Sequence, residues 1–352
     1  MRIVMIDELT NDMKLAREVI DPETGRVLLG AGGTNLQKYA DRLRNIGASY
    51  VYVQDEIAED VELPDTVCEE LRTRANAALK EIYGKLQMDQ HPEFTSLMRM
   101  VKDLLDEVLG IREYVVNVYE LRYGGGDFIG HSVNVALLSL LLGHGLGYDD
   151  EKLKKLGMGA LLHDVGVAVL PKAIQEKRGA LNEEEQNLYQ QHPVLGYHLV
   201  KNNWEVAALS RGVILSHHER SDGSGYPRRL LKGDIHEFSR IVGLVDTFEE
   251  LTGGHPLSTQ MNVHEAVEYL NIHGPEWFGA ELTESFISRI PIYQTGTTVS
   301  LNDGRRAVVV SQNKGFPTRP IIRVFQDQKG KQVNPGMEIN LLEANHIFVG
   351  QD

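Results

Sequence analysis

The chain contains a single cysteine, Cys68, among its 352 residues. One cysteine can form neither an internal disulfide nor a thiolate-rich zinc site, so the chain fits a reducing compartment. Charged residues occur from Arg2 onward, which leaves no room for the apolar stretch of a signal peptide. The longest apolar stretch, VNVALLSLLLGHGLG, contains glycine and histidine and falls short of the ~20 apolar residues of a membrane span. These absences predict a cytoplasmic protein without a membrane span.

Positive charge is also scarce, and the formal net charge is −14 at pH 7. A surface that repels phosphate gains no affinity from counterion release, so binding to DNA or RNA polymers is not expected. A small phosphate-containing ligand stays compatible with this charge, because bound metal ions can reverse the sign of the local field. The apolar fraction of 42% is that of an ordinary folded protein and argues against disorder.

Residue patterns predict three domains. Residues 1–62 mix short extended stretches with one helical stretch, NLQKYADRLRNIG, and predict a small α/β module whose role, sensory, dimerising or otherwise regulatory, stays open. Residues 63–292 have a helical period almost throughout and predict an all-α bundle. Residues 293–352 alternate β-rich stretches with Asp-Gly, Lys-Gly and Pro-Gly turns and predict a small β module. The expected fold class is therefore multidomain, with a central helical bundle between two small modules.

Histidine is concentrated in the predicted bundle, where ten of the 13 histidines lie between His131 and His264. The pairs His163-Asp164 and His217-His218 combine imidazoles and carboxylates with apolar neighbours. Burying such groups unpaired is costly, so they need a partner or a cation. A single buried histidine is more often a hydrogen-bonded core residue, and we interpret the following histidines in that way: His144, His198, His236, His264 and His273. The paired set on separate helices instead predicts a metal site inside the bundle.

The histidine doublet suits two metal ions better than one. Adjacent side chains on a helix diverge by ~100°, so His217 and His218 can readily serve two ions. A carboxylate has two oxygens and can bridge two metals, as Asp164 could do beside His163. Two metals ~3.5–4 Å apart can activate a hydroxide and hold a phosphoryl group in line. Imidazole and carboxylate ligands without thiolate suit iron, manganese or zinc.

The motifs resemble the HD-GYP family, the HD-superfamily phosphohydrolases that degrade cyclic di-GMP. The HD pair at 163–164 and HHERSDGSGYP at 217–227 match the family's signature. Further stretches resemble the family's remaining blocks in order: HSVNVA at 131–136, GALLHDVG at 159–166, LNEEE at 181–185, HPVLGY at 192–197 and RIVGLVD at 240–246. The resemblance covers most of residues 120–260 and implies an HD-type helical bundle.

The resemblance implies a set of metal ligands, which comprises His131, His163, Asp164, His192, His217, His218 and Asp246. It gives Asp164 the bridging position and makes His163 and Asp164 the catalytic pair. Asp127 precedes His131 by one helical turn. It stands where family members with a third metal have a glutamate, so the resemblance makes it a candidate ligand. The alternative role for Asp127 is that of a helix cap. The implied cofactors are two or three divalent ions, with iron favoured over manganese or zinc.

The residues expected to contact substrate depart from the family pattern. Val167 occupies the place of a family lysine, Asp127 replaces a common tyrosine, and the stretch GGHPLS leaves His255 where the family often has an arginine. The candidates for substrate contact are Lys177, Arg220, Tyr226 and His255. A tight exposed turn is a sufficient explanation for the glycines and proline of DGSGYP. The resemblance adds that an exposed Tyr226 contacts diguanylate cyclase domains.

Three functions follow as hypotheses. The first is a phosphodiesterase that converts cyclic di-GMP to linear pGpG, and then to GMP, through a hydroxide that bridges two or three metal ions. The second is a sensor or scaffold that binds a cyclic dinucleotide or a cyclase and catalyses little, which Val167 and His255 motivate. The third is an HD hydrolase of another cyclic dinucleotide. A homodimer is compatible with each of them.

Overall fold

The computed structural model of the chain describes residues 1–20, 26–46, 48, 50–54, 56–61, 69–88, 90, 92–110, 127–177, 179–252, 257, 261–333 and 337–350. These residues form two compact units. The terminal unit combines both ends of the chain, residues 1–61 and 288–350, and the helical unit consists of residues 69–110 and 127–287. The fold class predicted from the sequence, a central helical domain with small strand-containing modules at both ends, is confirmed.

The N-terminal part of the terminal unit is built from short strands and one helix. Its elements are β1 (Arg2–Met5), β2 (Lys14–Leu15), β3 (Val19–Ile20), β4 (Val27–Leu29), α1 (Ala40–Asn45) and β5 (Tyr50–Gln54). Strands β1, β5 and β2 form an antiparallel sheet in that order, with Ile3 opposite Tyr52, and β3 pairs with β4. Leu36 and Leu43 lie on the buried side of the helical stretch and contribute to one apolar core with Val51 and Val53.

The C-terminal part of the terminal unit is an antiparallel meander. It consists of β6 (Thr298–Ser300), β7 (Arg306–Ser311), β8 (Ile321–Gln326) and β9 (Glu338–Asn340), which are neighbours in chain order. The turn between β6 and β7 contains Gly304 at a φ of 84°, a left-handed conformation that glycine adopts at no steric cost. Ala307, Val309 and Ile322 form the core on one face of this sheet, and Val308 on the other face is buried in a second apolar cluster with Ala58 and Val61.

Both ends of the chain contact each other within the terminal unit. The backbone N–H of Ile3 donates to the Gly296 carbonyl oxygen at 2.8 Å, and Arg2 Nη1 donates to Thr298 Oγ1 at 3.0 Å. Arg323 donates to both carboxylate oxygens of Asp60, at 2.6 and 2.8 Å, and this lowers the pKa of Asp60 to about 2. Residues 1–62 and 293–352 were predicted as separate modules; their boundaries remain predictions, but the described residues of both belong to one compact unit.

The described part of the helical unit begins at residue 69. Its helices are α2 (Glu69–Gln87), α3 (Thr95–Gly110), α4 (Phe128–Gly145), α5 (Asp150–Leu161), α6 (Lys172–Gln175), α7 (Glu183–Tyr189), α8 (His192–Val200), α9 (Ala208–Ser216), α10 (Glu237–Thr252), α11 (Val263–Gly274) and α12 (Ala280–Ile287). A 3-10 helix covers Val165–Val169, and a π-helical turn, Pro275–Gly279, separates α11 from α12.

Helix α4 lies at the centre of the helical unit and packs against α2, α3, α5 and α10. It is apolar around its whole circumference, which is typical of a helix enclosed by other helices. Among the described residues, α4 is the one helix long and apolar enough to cross a membrane, but 83% of it is buried inside the protein. The helix therefore serves as a core helix, and His131 in its first turn lies in the interior.

Two helix boundaries differ from the sequence prediction and bear on the site. The stretch EEEQNLYQQHPVLGYHLVKN, predicted as one helical stretch, forms α7 and α8 with a break at Gln190 and Gln191. Pro193 lies in the first turn of α8, where its missing N–H costs no hydrogen bond. Helix α5 ends at Leu161, so His163 and Asp164 lie in the turn that follows. Several predicted ligands thus lie at helix ends.

Candidate metal centre

The structure brings the predicted metal ligands together inside the helical unit. Three groups share members and have one ligand atom per residue, all within 4.8 Å of one another: Asp164 with His192, His217 and His218; His131 with His163 and Asp164; and His163 with His217 and Asp246. All of these residues are buried except His218, whose side chain is 14% exposed. Asp164, His163 and His217 each belong to two of the groups, and the bridging position of Asp164 stays a prediction.

Two glycines allow the backbones that carry these side chains to approach closely. A Cβ atom on Gly166, two residues after Asp164, would lie 2.0 Å from the carbonyl oxygen of His192. A Cβ atom on Gly243 of α10 would lie 2.3 Å from the carbonyl oxygen of His217. Real Cβ atoms do not reach such distances, so only glycine permits the HD turn to contact α8 and α10 to contact the end of α9.

Hydrogen bonds to the backbone orient three of the imidazoles. Nδ1 of His163 lies 2.7 Å from the Ala160 carbonyl oxygen, and Nδ1 of His192 lies 2.8 Å from that of Tyr189. Nδ1 of His217 lies 3.1 Å from a carbonyl oxygen of the last turn of α9. Because a carbonyl oxygen can only accept, each Nδ1 carries the proton and donates it. When these rings are neutral, each Nε2 presents a lone pair to the centre, as a metal-binding histidine does.

Several atoms at the centre are buried without a hydrogen-bond partner. They are Nε2 of His163, both carboxylate oxygens of Asp164, and Nε2 of His218. A buried polar atom left unsatisfied costs about 1–3 kcal/mol, and more when it is charged. Cations that accept lone pairs from these residues would satisfy the unpartnered atoms, and each of the three residues belongs to at least one of the groups above. The set of imidazole and carboxylate donors fits divalent iron, manganese or zinc.

The protonation states of most of these groups suit cation binding, and His163 is the exception. Burial opposes ionisation of Asp164, but His163 and its other imidazole neighbours hold the pKa of this carboxyl well below its usual range. Burial and the nearby His163 lower the pKa of His217 to about 3, and burial also lowers the pKa of His192. Burial likewise opposes protonation of His163, but Asp164 and Asp246 raise its pKa to about 10. His163 must therefore lose a proton before its Nε2 atom can bind a cation.

Glu249 is a buried residue of the site that the sequence analysis did not identify. Its Oε2 atom lies 3.3 Å from Nδ1 of His131, whose Nε2 lies 2.9 Å from Asp246 Oδ1. The other oxygen of Glu249 accepts from Asn134 Nδ2, and Arg72 Nη2 donates to Asn134 Oδ1 at 2.5 Å. A carboxylate on the second nitrogen of a histidine fixes the ring and makes it a better ligand. The signal in the sequence was a glutamate on the buried face of α10, three residues after Asp246.

The segment after the histidine doublet folds back against it. Glu219 is fully buried, and its carboxylate accepts from the backbone N–H groups of Arg228 at 2.7 Å and Leu230 at 2.8 Å. The Tyr226 ring stacks on His218 with centroids 4.6 Å apart, and the Tyr226 N–H donates to the His218 carbonyl oxygen. Tyr226 was expected to be exposed; this stacking leaves it half-buried.

A cavity of about 230 Å³ lies beside the ligand cluster. It is lined by His217 and His218 together with Gln186, Gln190, Arg220, Ser224, Gly225, Tyr226, Thr247, Glu250 and Phe278. The Arg220 guanidinium lies 3.6 Å from the centre of the Trp277 ring, which holds it in place. Two predicted substrate-contact residues, Arg220 and Tyr226, therefore line this cavity.

The remaining predicted site residues have other surroundings. Lys177 Nζ donates to both carboxylate oxygens of Glu185 at 2.9 Å. Asp127 caps α4, with Oδ1 accepting from the Gly130 N–H at 2.7 Å, and it lines a second cavity of about 280 Å³ with Val167. Val167 itself belongs to a buried apolar cluster. His255 lies outside the described residues.

Comparison with known families identifies two domains. Residues 123–282 match the HD domain, and residues 298–351 match the KOW domain associated with the HD domain. Among solved structures, the chain is similar to Bd1817, an HDG"Y"P protein from Bdellovibrio bacteriovorus, with a TM-score of 0.50, 19% identity, and coverage of 81% of this chain and 97% of that one. This similarity supports the fold.

Three curated relatives illustrate the sequence similarity. The chain is 28% identical to the cyclic di-GMP phosphodiesterase PA4108 of Pseudomonas aeruginosa over 78% of this chain and 66% of the relative. It is 36% identical to the cyclic di-GMP phosphodiesterase response regulator RpfG of Xanthomonas campestris over 37% of this chain and 35% of the relative. It is 32% identical to the 3'3'-cGAMP-specific phosphodiesterase 1 of Vibrio cholerae over 47% of this chain and 38% of the relative. The chain thus spans about a third to two thirds of the length of these relatives.

The motifs and the relatives point to the same group of enzymes. The relatives named above are phosphodiesterases of cyclic dinucleotides. Residues 123–282 therefore match the HD domain, and the relatives named above agree with the resemblance of the chain's motifs to the HD-GYP family.

Proposed function

We propose that this chain is a metal-dependent phosphodiesterase that hydrolyses cyclic di-GMP to linear pGpG and then to GMP. The observation that carries the proposal is the cluster of buried ligand groups that share Asp164, which includes donor atoms without a hydrogen-bond partner on Asp164, His163 and His218, together with the cavity that His218 lines. Such a set fits divalent cations, and the relatives named above act on cyclic dinucleotides. The formal charge of −14 makes a cationic centre the natural place for a phosphate group in this protein.

The grouping of the ligands supports two cations. Asp164 shares one group with His131 and His163 and another with His192 and His217, so its two oxygens can serve different ions. Bound divalent cations would supply an activated water and offset the negative charge on the phosphoryl oxygens. Iron is favoured, with manganese and zinc as alternatives of the same donor preference. A third ion at Asp127 is not part of the proposal, because Oδ1 of this residue caps α4.

The chain's own residues have distinct tasks in this proposal. His163 and Asp164 form the catalytic pair in the ligand cluster, and Asp246 serves as a further metal ligand. Arg220 provides a fixed positive charge at the cavity wall that attracts substrate phosphate or a base edge. Lys177 is not included, because Glu185 already neutralises it.

A turnover assay tests the proposal directly. Protein purified without oxygen and supplied with ferrous iron or manganese is expected to convert cyclic di-GMP to pGpG, measured by chromatography. Asp164→Ala should lose both bound metal and turnover, whereas Glu284→Gln, a substitution of an exposed carboxylate on α12, should change neither. Full metal occupancy without any cleavage of a cyclic dinucleotide would contradict the proposal.

A second candidate is a sensor or scaffold that binds a cyclic dinucleotide without rapid hydrolysis. The observation in its favour is Val167, a buried apolar side chain at a position where the family has a lysine. Titration of cyclic di-GMP into metal-loaded protein separates the candidates, since tight binding with no product supports the sensor. Contact of residues 222–230, the GYP loop, with diguanylate cyclase domains also stays a proposal. The exposed Arg228 and Arg229 of this loop would be available to an acidic partner.

A further inference from the structure

We propose that Glu250 makes the cavity beside the ligand cluster selective for guanine over adenine. This inference rests on the proposed function, since it concerns which cyclic dinucleotide the same site accepts. Glu250 lies on α10, one helical turn after Asp246, and lines the cavity with Arg220 and Tyr226.

The size of the cavity fits part of a substrate. Its volume of about 230 Å³ is below the roughly 300–1,000 Å³ of sites that enclose drug-sized ligands. It can therefore enclose one base while the phosphate groups lie toward His217 and His218, which form the cavity wall on the side of the ligand cluster. The wall is otherwise rich in hydrogen-bonding side chains, including Gln186, Gln190 and Thr247.

The carboxylate of Glu250 is available to a ligand. In the part of the chain that the structure describes, no group donates a hydrogen bond to it and no cation pairs with it. Burial and the negative charge of Asp246 raise the pKa of Glu250 to about 8, so the carboxyl is mostly protonated at neutral pH as long as no ligand is bound. Two N–H donors from a bound base favour the ionised form, because only that form can accept from both of them.

Guanine and adenine differ in the edge that they would present to Glu250. Guanine offers two donors side by side, N1–H and the N2 amino group, which match the two oxygens of a carboxylate. Adenine offers an acceptor at N1 beside its N6 amino group, so one oxygen of Glu250 would face a lone pair. Arginine donors match the guanine acceptors O6 and N7, and Arg220 is fixed in the same cavity by Trp277. Glu250 and Arg220 together thus favour guanine.

The substitution Glu250→Gln tests the inference, because the amide keeps one acceptor, replaces the other by a donor, and matches the adenine edge. Initial rates would be measured for cyclic di-GMP, 3'3'-cGAMP and cyclic di-AMP with equal metal occupancy in both proteins. The ratio of kcat/KM for cyclic di-GMP to that for cyclic di-AMP is expected to fall by at least about tenfold in the variant, in keeping with the discrimination of one bidentate contact to a base. Glu284→Gln serves as the matched control and should leave the ratio unchanged.

Two outcomes would overturn the inference. An unchanged ratio in Glu250→Gln, or an equal loss with all three substrates, would mean that this side chain does not read the base. Equilibrium binding of the three dinucleotides to the metal-loaded wild-type protein separates the possible failures. Binding without a preference for guanine contradicts the role of Glu250 alone, whereas no binding to any of them contradicts the proposed function as well.

Discussion

The carboxylate of Glu249 lies 3.3 Å from Nδ1 of His131, on the side of the imidazole away from Nε2. The two residues are 118 positions apart in the chain, and the contact joins α10 to the first turn of α4. Both side chains are buried, so the pair is shielded from water. The contact fixes the ring of a predicted ligand and couples the metal centre to the core of the helical unit.

We expect Glu249→Gln to weaken metal binding by about 10–100-fold, the usual effect of removing a partner from the second nitrogen of a ligand histidine. The amide keeps the size of the side chain but removes one acceptor between His131 and Asn134. Competition with a chelator would measure the metal affinity. Glu284→Gln, on the exposed face of α12, is the control with the same chemical change. Equal affinity in all three proteins would show that the contact does not support the centre.

Gly243→Ala is expected to destabilise the helical unit by about 2–3 kcal/mol and to lower metal affinity. Its Cβ atom would lie 2.3 Å from the His217 carbonyl oxygen, so α10 must move away from the end of α9. Gly212 of α9 has nothing within 4 Å of its Cβ position, so Gly212→Ala should instead stabilise the protein by about 0.5–1 kcal/mol. Urea unfolding of both variants gives the comparison, and losses of equal size would contradict the packing argument.

Glu219→Gln should loosen the GYP loop without removing metal. Glu219 follows the histidine doublet, but its oxygens accept from the backbone N–H groups of Arg228 and Leu230 rather than face the centre. The amide can satisfy only one of these donors, at a cost of about 1–3 kcal/mol for the other. Hydrogen exchange at the Arg228 and Leu230 amides is expected to become faster, with unchanged metal content. Loss of metal in this variant would indicate that Glu219 acts as a ligand.

The metal-free protein is expected to be most stable near about pH 6.5, the usual pKa of histidine in an unfolded chain. His163, with a pKa raised to about 10, stabilises the folded state below that pH, and this contribution is lost as the pH rises toward 10. His217, with a pKa lowered to about 3, has the opposite effect, because the unfolded chain takes up a proton that the folded chain does not as the pH falls from about 6.5 toward 3.

Bound metal should remove the alkaline part of this dependence, because His163 cannot hold a proton and a cation on Nε2 together. Urea midpoints at about pH 6.5 and about pH 9, with metal and with a chelator, test the expectation. The midpoint should fall with rising pH in the chelated sample more than in the loaded one. Equal slopes in both samples would contradict it.

The sequence predicted the ligand cluster more fully than its surroundings. His163 with Asp164 and His217 with His218 are local patterns whose cost, if buried unpaired, is readable without a structure. The contact of Glu249 with His131 depends on how α10 packs against α4, and no local pattern encodes it. For the same reason the ion pair of Lys177 with Glu185, and the stacking that covers Tyr226, were not predicted.

For the fold as well, elements that depend on local sequence patterns were predicted, whereas contacts between distant segments were not. Helical period predicted the helices of the central unit, and Asp303-Gly304 predicted the first turn of the C-terminal meander. The pairing of the chain ends was not predicted, since Arg2 and Thr298 are 296 positions apart and strand period alone does not reveal a partner. Asp127 is an intermediate case. An aspartate at this position could be either the N-terminal cap of a helix or a metal ligand, so the sequence left both roles open.

The joining of both chain ends in one unit has a consequence for biosynthesis. A ribosome releases Ile3 early but Gly296 late, so the hydrogen bond between them cannot form until most of the polypeptide has emerged. The helical unit is a compact unit of its own and can fold while the amino-terminal strands still lack their carboxy-terminal neighbours. A truncated translation product that contains the HD segment can thus possess the ligand cluster and still expose unfinished sheet edges, which would direct it to proteolysis or aggregation.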